Sequence, residues 1–206
     1  VNEKTAAPDW INAPPIRRVT DFGELKRYVA ELQERTEEMQ RDFDQASIGE
    51  NPSLEPRRHA SSRSGILKKF EEMIQRNSVG PASFIYVYLY QGKPVSLFEV
   101  IMSERTDYAF LANIVSHPWY FGTLGTVVEF ILNETRARGA KPIIELYALT
   151  GEAAKAYLGL GFVGSDDAAD EGGEMELDLT NGSAYASFEL IDNRWRKKVK
   201  ERKPAQ

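Results

Sequence analysis

Residues Tyr108–Phe162 read YAFLANIVSHPWYFGTLGTVVEFILNETRARGAKPIIELYALTGEAAKAYLGLGF, and this stretch decides the fold. Tyr108 to Ser116 is apolar and β-prone, so it reads as a strand that His117-Pro118 ends. Helical spacing follows the glycines, with Val127, Val128, Ile131 and Leu132 on one face. Arg136 and Arg138 suit the negative end of that helix, and Gly139 stops it. Pro142 to Leu149 is a second strand. A crossover helix between two strands implies that they run parallel. The connection Pro118–Thr126 carries Gly122 and Gly125 and opens the helix. The first N–H groups of a helix have no partner within it and lie at its positive end, so this loop offers a seat for a phosphate or pyrophosphate. Gly151 to Leu160 is a short helix, and Gly161 turns the chain into a strand beginning at Phe162.

Outward from this unit the pattern stays mixed. Phe84 to Tyr90 (FIYVYLY) is apolar on both faces, as in a strand covered on both sides. Gln91-Gly92-Lys93-Pro94 is a hairpin turn, and Val95 to Ser103 is the returning strand. Upstream, Asp21 with Glu24 three residues on is a capping box, followed by Leu25, Tyr28, Val29, Leu32, Met39 and Phe43 at mainly helical spacing. Residues 44–63 are rich in Ser, Pro, Asn and Arg and read as a long loop. Ile66, Leu67, Phe70, Met73 and Ile74 predict a second helix. Downstream, Phe162–Ser165 and Glu174–Leu179 are expected to pair around an acidic loop, and a helix is expected from about Ala184 to Arg202. Three regions result: an arm at 1–18, an α/β domain at 19–180 and a basic helical extension at 181–206.

Composition narrows the chemistry. With 206 residues, 42% hydrophobic and 28% charged, the chain can bury a core. It has no cysteine, which excludes disulfides, zinc–thiolate sites and a thiol nucleophile, and only two histidines, which argues against a metal site. The net charge of -5 opposes coating of nucleic acid by bulk attraction. No apolar run reaches the length of a membrane span, and VNEKTAAPDW shows no secretory pattern, so a cytoplasmic chain is expected.

Ala153, Tyr157 and Leu160-Gly161-Phe162, with Thr150 where Asn is common, resemble the late signature of the GCN5-related N-acetyltransferases, the GNAT superfamily. Ser116-His117-Pro118 resembles the end of that family's fourth strand, and Glu145-Leu146 part of its fifth. The resemblance covers residues 84–179, and the two N-terminal helices in outline. It implies a GNAT fold: a mixed, mostly antiparallel sheet, flanked by helices and splayed between the fourth and fifth strands. It further implies acetyl-CoA as co-substrate, with pantetheine along Ile114, Val115 and Ser116 and pyrophosphate on Tyr120, Phe121, Gly122, Thr123, Leu124, Gly125 and Thr126. Thr150 joins that donor set. The implied reaction is direct attack of a primary amine on the thioester in a ternary complex, with Tyr157 protonating the departing thiolate. A phenol can serve a thiol leaving group. The loop departs from the family pattern: Tyr120 stands where a basic or amide residue is usual, and Thr123 where the first glycine is.

Candidate bases are Glu99, Glu104, Asp107 and Glu145, with Glu99 and Glu145 preferred as catalytic residues. His117 reads as a strand cap. The acceptor amine is not named by any residue. Arg57, Arg58, His59 and Arg63 suit an acidic or phosphorylated acceptor. The basic stretch Arg194–Lys203 suits a protein or RNA partner, and a homodimer is compatible with the sequence. The rival reading is an interaction module that has the fold and has lost the donor site. An Arg side chain reaching the donor site from another segment favours the enzyme, and a donor cleft filled by Trp119, Tyr120 or Phe121 favours the module.

Overall fold

The structure is a computed structural model that describes residues 15–46, 55–102, 107–117, 122–180 and 187–198. Its main sheet has seven strands in the order β1-β2-β3-β4-β5-β7-β6. These are β1 (Ile16–Val19), β2 (Ser83–Tyr90), β3 (Lys93–Ile101), β4 (Ala109–Ser116), β5 (Ile143–Ala148), β6 (Val163–Gly164) and β7 (Gly173–Asp178). The sheet is mostly antiparallel, with a parallel pairing of β4 and β5 as the crossover predicts. The chain forms two compact units, 1–99 with 113–121 and 100–112 with 122–206.

In the first unit, α1 (Phe22–Ala46) and α2 (Glu55–Arg76) supply the helices. The Asp21 carboxylate accepts from Glu24 N–H at 2.8 Å, so the predicted cap forms. Its reciprocal half does not, because the Glu24 side chain turns to Tyr28 (2.8 Å) and Arg17. Leu25, Tyr28, Val29 and Leu32 form the buried stripe of α1 and meet Leu67 and Phe70 of α2 and Val87, Leu97 and Val115 of the sheet.

In the second unit, α3 (Thr123–Ala137) buries Val127, Val128, Ile131 and Leu132 as the sequence predicts. Short helix α4 (Gly151–Leu158) is capped by Thr150, whose hydroxyl oxygen accepts from Ala153 N–H at 3.2 Å. A one-turn helix, α5 (Ala168–Glu171), fills the acidic loop before β7.

Three expectations change. Residues 16–19 belong to an edge strand, not to an arm. Ile16 to Val19 pair antiparallel with Tyr88 to Ile85, and Leu89 N–H donates to Pro15 O at 2.7 Å. The second helix begins at Glu55, inside the stretch read as a loop; Ser and Arg are acceptable in a helix interior once its apolar side packs. Positions 47–54 of that stretch lie outside the described residues. The expected C-terminal helix is instead a hairpin, β8 (Phe188–Ile191) and β9 (Arg194–Lys197), joined at Asp192-Asn193. Both turn residues have positive φ, 48° and 63°, a conformation that Asp and Asn tolerate.

The hairpin lies along α3. The Asn133 amide brackets the Trp195 backbone, donating to its carbonyl at 3.0 Å and accepting from its N–H at 2.9 Å. Arg136 Nε donates to Asn193 O at 3.1 Å, and Lys197 N–H donates to Glu129 Oε2 at 2.9 Å. β9 therefore climbs toward the N-terminus of α3. The fit is metrical: two strand residues rise about 6.7 Å and four helical residues about 6 Å.

Candidate functional site

The second unit contains residues 122–126, the described part of the glycine-bearing loop. Tyr120 and Phe121 lie outside the described residues, as do Trp119 and Glu104. Gly122 is the cap residue of α3 at φ 88°, a left-handed conformation that favours glycine. It has no side chain to accept from the helix, so the cap itself leaves the first turn open to an anion. Thr123 and Gly125 are buried, Leu124 is half-buried and Thr126 is exposed. A Cβ added at Gly125 would lie 2.6 Å from Lys197 Nζ and 2.7 Å from its Cδ. An ammonium from the C-terminal hairpin thus rests against the first turn of α3. The sequence alone places Lys197 in the basic helical extension expected at the C-terminal end. Nothing local could have placed it here, since its backbone anchor, Glu129, is 68 residues away.

Tyr157 of α4 is 5% exposed and meets Phe162 edge-to-face at 5.2 Å. Its hydroxyl makes no hydrogen bond with the described residues. Burial raises its pKa above the phenol's ordinary 10.0, so it stays protonated through the neutral range. That is the state a general acid needs. The Thr150 hydroxyl oxygen is engaged as the α4 cap.

Glu145 on β5 is half-buried, opposite Glu176 on β7 and Phe110 on β4. Its carboxylate is the main cause of the raised pKa of Tyr108, followed by burial and by the hydrogen bond Tyr108 makes to it. Asp107 is exposed and sits 3.4 Å from Lys141 Nζ. Both carboxylates are thereby engaged with local partners.

The first unit contains the C-terminal half of β4. The β4–β5 pairing joins Ala109, Phe110 and Leu111 to Ile144, Glu145 and Leu146. Ile114, Val115 and Ser116 stand beyond it. Val115 is buried and its carbonyl accepts from the Ser96 hydroxyl at 3.2 Å; the Ser96 and Ser116 hydroxyls are also 3.2 Å apart. His117 N–H donates to Val95 O at 2.8 Å, so His117 does hold the strand end. Its imidazole pKa is lowered, first by burial and then by Arg35 and Arg63, with Lys93 adding and Glu38 opposing.

Glu99 on β3 is 6% exposed. One carboxylate oxygen accepts from the Ser83 hydroxyl and the other from Asn113 Nδ2 at 2.6 Å. A buried carboxylate with both oxygens engaged ties β2, β3 and β4 together. Among the described residues no group of three or more His, Asp or Glu is arranged to hold a metal, and no helix is long and apolar enough to cross a membrane.

No protein-family profile and no curated protein matches the chain. Solved structures do. The GNAT domain of S. lividans PAT is 13% identical over 80% of this chain and 89% of its own, with a TM-score of 0.50. A chimeric spermidine N-acetyltransferase from Vibrio cholerae is 16% identical over 80% of this chain and 96% of its own, at 0.48. An N-acetyltransferase from Thermoplasma acidophilum, solved with coenzyme A, is 14% identical over 79% and 97%, at 0.45.

Proposed function

Because the chain has the GNAT fold, we propose that it is an N-acetyltransferase that moves the acetyl group of acetyl-CoA to a primary amine. The observation that carries this reading is Lys197. The loop lacks the basic residue of the family pattern, and the C-terminal hairpin brings an ammonium to the turn that the loop opens. Backbone N–H groups at a helix N-terminus plus one cation are the donor set a pyrophosphate requires. The residues present therefore suit the group: Gly122 gives room, the first turn of α3 gives N–H donors, and Lys197, lying over Gly125, gives charge.

The pantetheine arm is assigned to the backbone of Ile114, Val115 and Ser116. Acetyl-CoA supplies an activated acyl carbon and a sulfur leaving group. The neutral amine forms the new C–N bond as the C–S bond breaks; the nitrogen releases its surplus proton to water, and Tyr157 gives the sulfur a proton from its Oη and is reprotonated in turn. The N–H of Val115 is assigned to the carbonyl oxygen, where charge develops. With no cysteine in the chain, transfer is direct.

The test is calorimetric titration with acetyl-CoA, using desulfo-CoA and adenosine diphosphate as controls. Micromolar binding is expected, weakened on the order of tenfold in Lys197→Gln, which removes one charge-assisted contact. No binding at millimolar acetyl-CoA would overturn the reading and leave an interaction module of the same fold.

A further inference from the structure

One stripe of α3 receives the C-terminal hairpin. Gly125, Glu129, Asn133 and Arg136 follow one another at four- and three-residue spacing, so they share one face of the helix. β9 and its turn run along that face, and each position supplies what its partner there requires. Gly125 leaves space where a Cβ would lie 2.6 Å from Lys197 Nζ. Glu129 Oε2 accepts from Lys197 N–H at 2.9 Å. Asn133 meets the Trp195 backbone, and Arg136 Nε donates to Asn193 O at 3.1 Å.

Asn133 is the informative member. Its Nδ2 donates to Trp195 O at 3.0 Å and its Oδ1 accepts from Trp195 N–H at 2.9 Å, the two bonds that a residue on a neighbouring antiparallel strand would make. The isosteric Asp carries no donor and Leu carries neither group, so the amide is required for both bonds. What those bonds fix is register. A slip of one residue turns the opposite set of side chains toward the helix. Lys197 would then point away from Gly125. Glu129 opposes the same slip. Its second oxygen lies 3.8 Å from Arg196 Nη1, so the neighbouring guanidinium is engaged four residues beyond the first-turn glycine.

We propose that Asn133, supported by Glu129, is a positioning residue for the donor site: it sets the register of β9 on α3 so that Lys197 meets the pyrophosphate of acetyl-CoA. This inference rests on the acetyl-CoA reading for its ligand and on the hairpin contacts for its geometry. Both side chains act through Lys197. A lysine ammonium is a point charge on a flexible four-carbon stem, so its placement is only as good as that of the backbone that carries it. The bracket at Trp195, two residues before Lys197, anchors that backbone.

The experiment titrates the full chain with acetyl-CoA by calorimetry. Asn133→Asp keeps the shape of the side chain and removes the donor. It should weaken binding on the order of tenfold, as Lys197→Gln does, and raise KM for acetyl-CoA with kcat unchanged. The double variant should bind no more weakly than either single one, because both remove the same contact. Glu129→Ala leaves the Asn133 bracket in place; it should weaken binding by less, and it supplies the same cycle with Lys197→Gln if Asn133→Asp does not fold. Lys198→Gln removes an equal charge one residue on and should bind as wild type. A second readout needs no ligand: a nuclear Overhauser contact between the Gly125 α protons and the Lys197 ε protons, present in wild type and lost in Asn133→Asp. Additive losses in the double variant, or a contact that survives Asn133→Asp, overturn the positioning role. A wild type that shows the Asn133-dependent contact and binds no acetyl-CoA overturns the donor reading and supports the register role by itself.

Discussion

Replacing Tyr157 by Phe separates packing from chemistry. The ring is buried and rests edge-to-face on Phe162 at 5.2 Å, and Phe preserves that contact. The hydroxyl has no hydrogen-bond partner among the described residues, so its loss leaves no donor or acceptor stranded. Stability should change by less than about 1 kcal/mol. For a chain of this length the thermal midpoint should then move by less than about 4 °C. Turnover should behave differently. Loss of a positioned general acid lowers the rate by about 100- to 10,000-fold. The assay is steady-state acetyl transfer with CoA release as readout, beside calorimetric binding of acetyl-CoA. The acetyl-CoA affinity should stay within about twofold while kcat falls, the signature of an interaction made only in the transition state. Alkaline behaviour adds a second readout. Burial raises the folded pKa of Tyr157 above 10.0, so its contribution to stability is complete below that pH and is lost as pH rises beyond it. Tyr157→Phe should therefore be less sensitive to alkali than wild type. A mutant with wild-type kcat would refute the acid role, whatever its stability.

The remaining predictions concern charge and space. Glu99→Ala strands the Ser83 hydroxyl and the Asn113 amide in the core and should cost about 2–4 kcal/mol by urea unfolding, with kcat per folded molecule unchanged; a selective loss of kcat would make Glu99 the base after all. His117 has a lowered pKa, so its contribution to stability is present above pH 6.5 and is lost as pH falls below it. Melting temperatures across that window should slope less in His117→Gln, and equal slopes would place the relevant titration elsewhere. Gly151→Ala would put a Cβ 2.5 Å from Asp170 O and 2.6 Å from Ala169 O, backbone atoms that cannot swing aside, and should cost about 1–3 kcal/mol. Gly65→Ala meets nothing within 4 Å on α2 and should stabilise by about 0.5–1 kcal/mol, measured in the same unfolding assay.

What the sequence determined by itself is what neighbours along the chain determine. The Asp21 cap, the α3 stripe Val127–Leu132, the stop at Gly139 and the α4 cap at Thr150 each depend on residues within a turn or two, and each formed where its pattern stood. The β-α-β order also fixed the parallel β4–β5 pairing, because crossover handedness leaves few alternatives. Tertiary structure decided the rest. Phe188, Ile191 and Trp195 fit a helical period, yet the Asp192-Asn193 turn makes that segment a hairpin; four-residue runs on either side of two turn-prone residues were the local signal for it. β1 carries only four residues, too few to show alternation, and exists because β2 offers an open edge. The buried Glu99 gains its meaning from Ser83 and Asn113 on two other strands. Lys197 reaches Gly125, and Asn133 meets Trp195, only once the chain has folded back. Local periodicity sets which side chains are buried, but which charges meet is set by contacts between distant segments, and the candidate chemistry of this protein lies in those contacts.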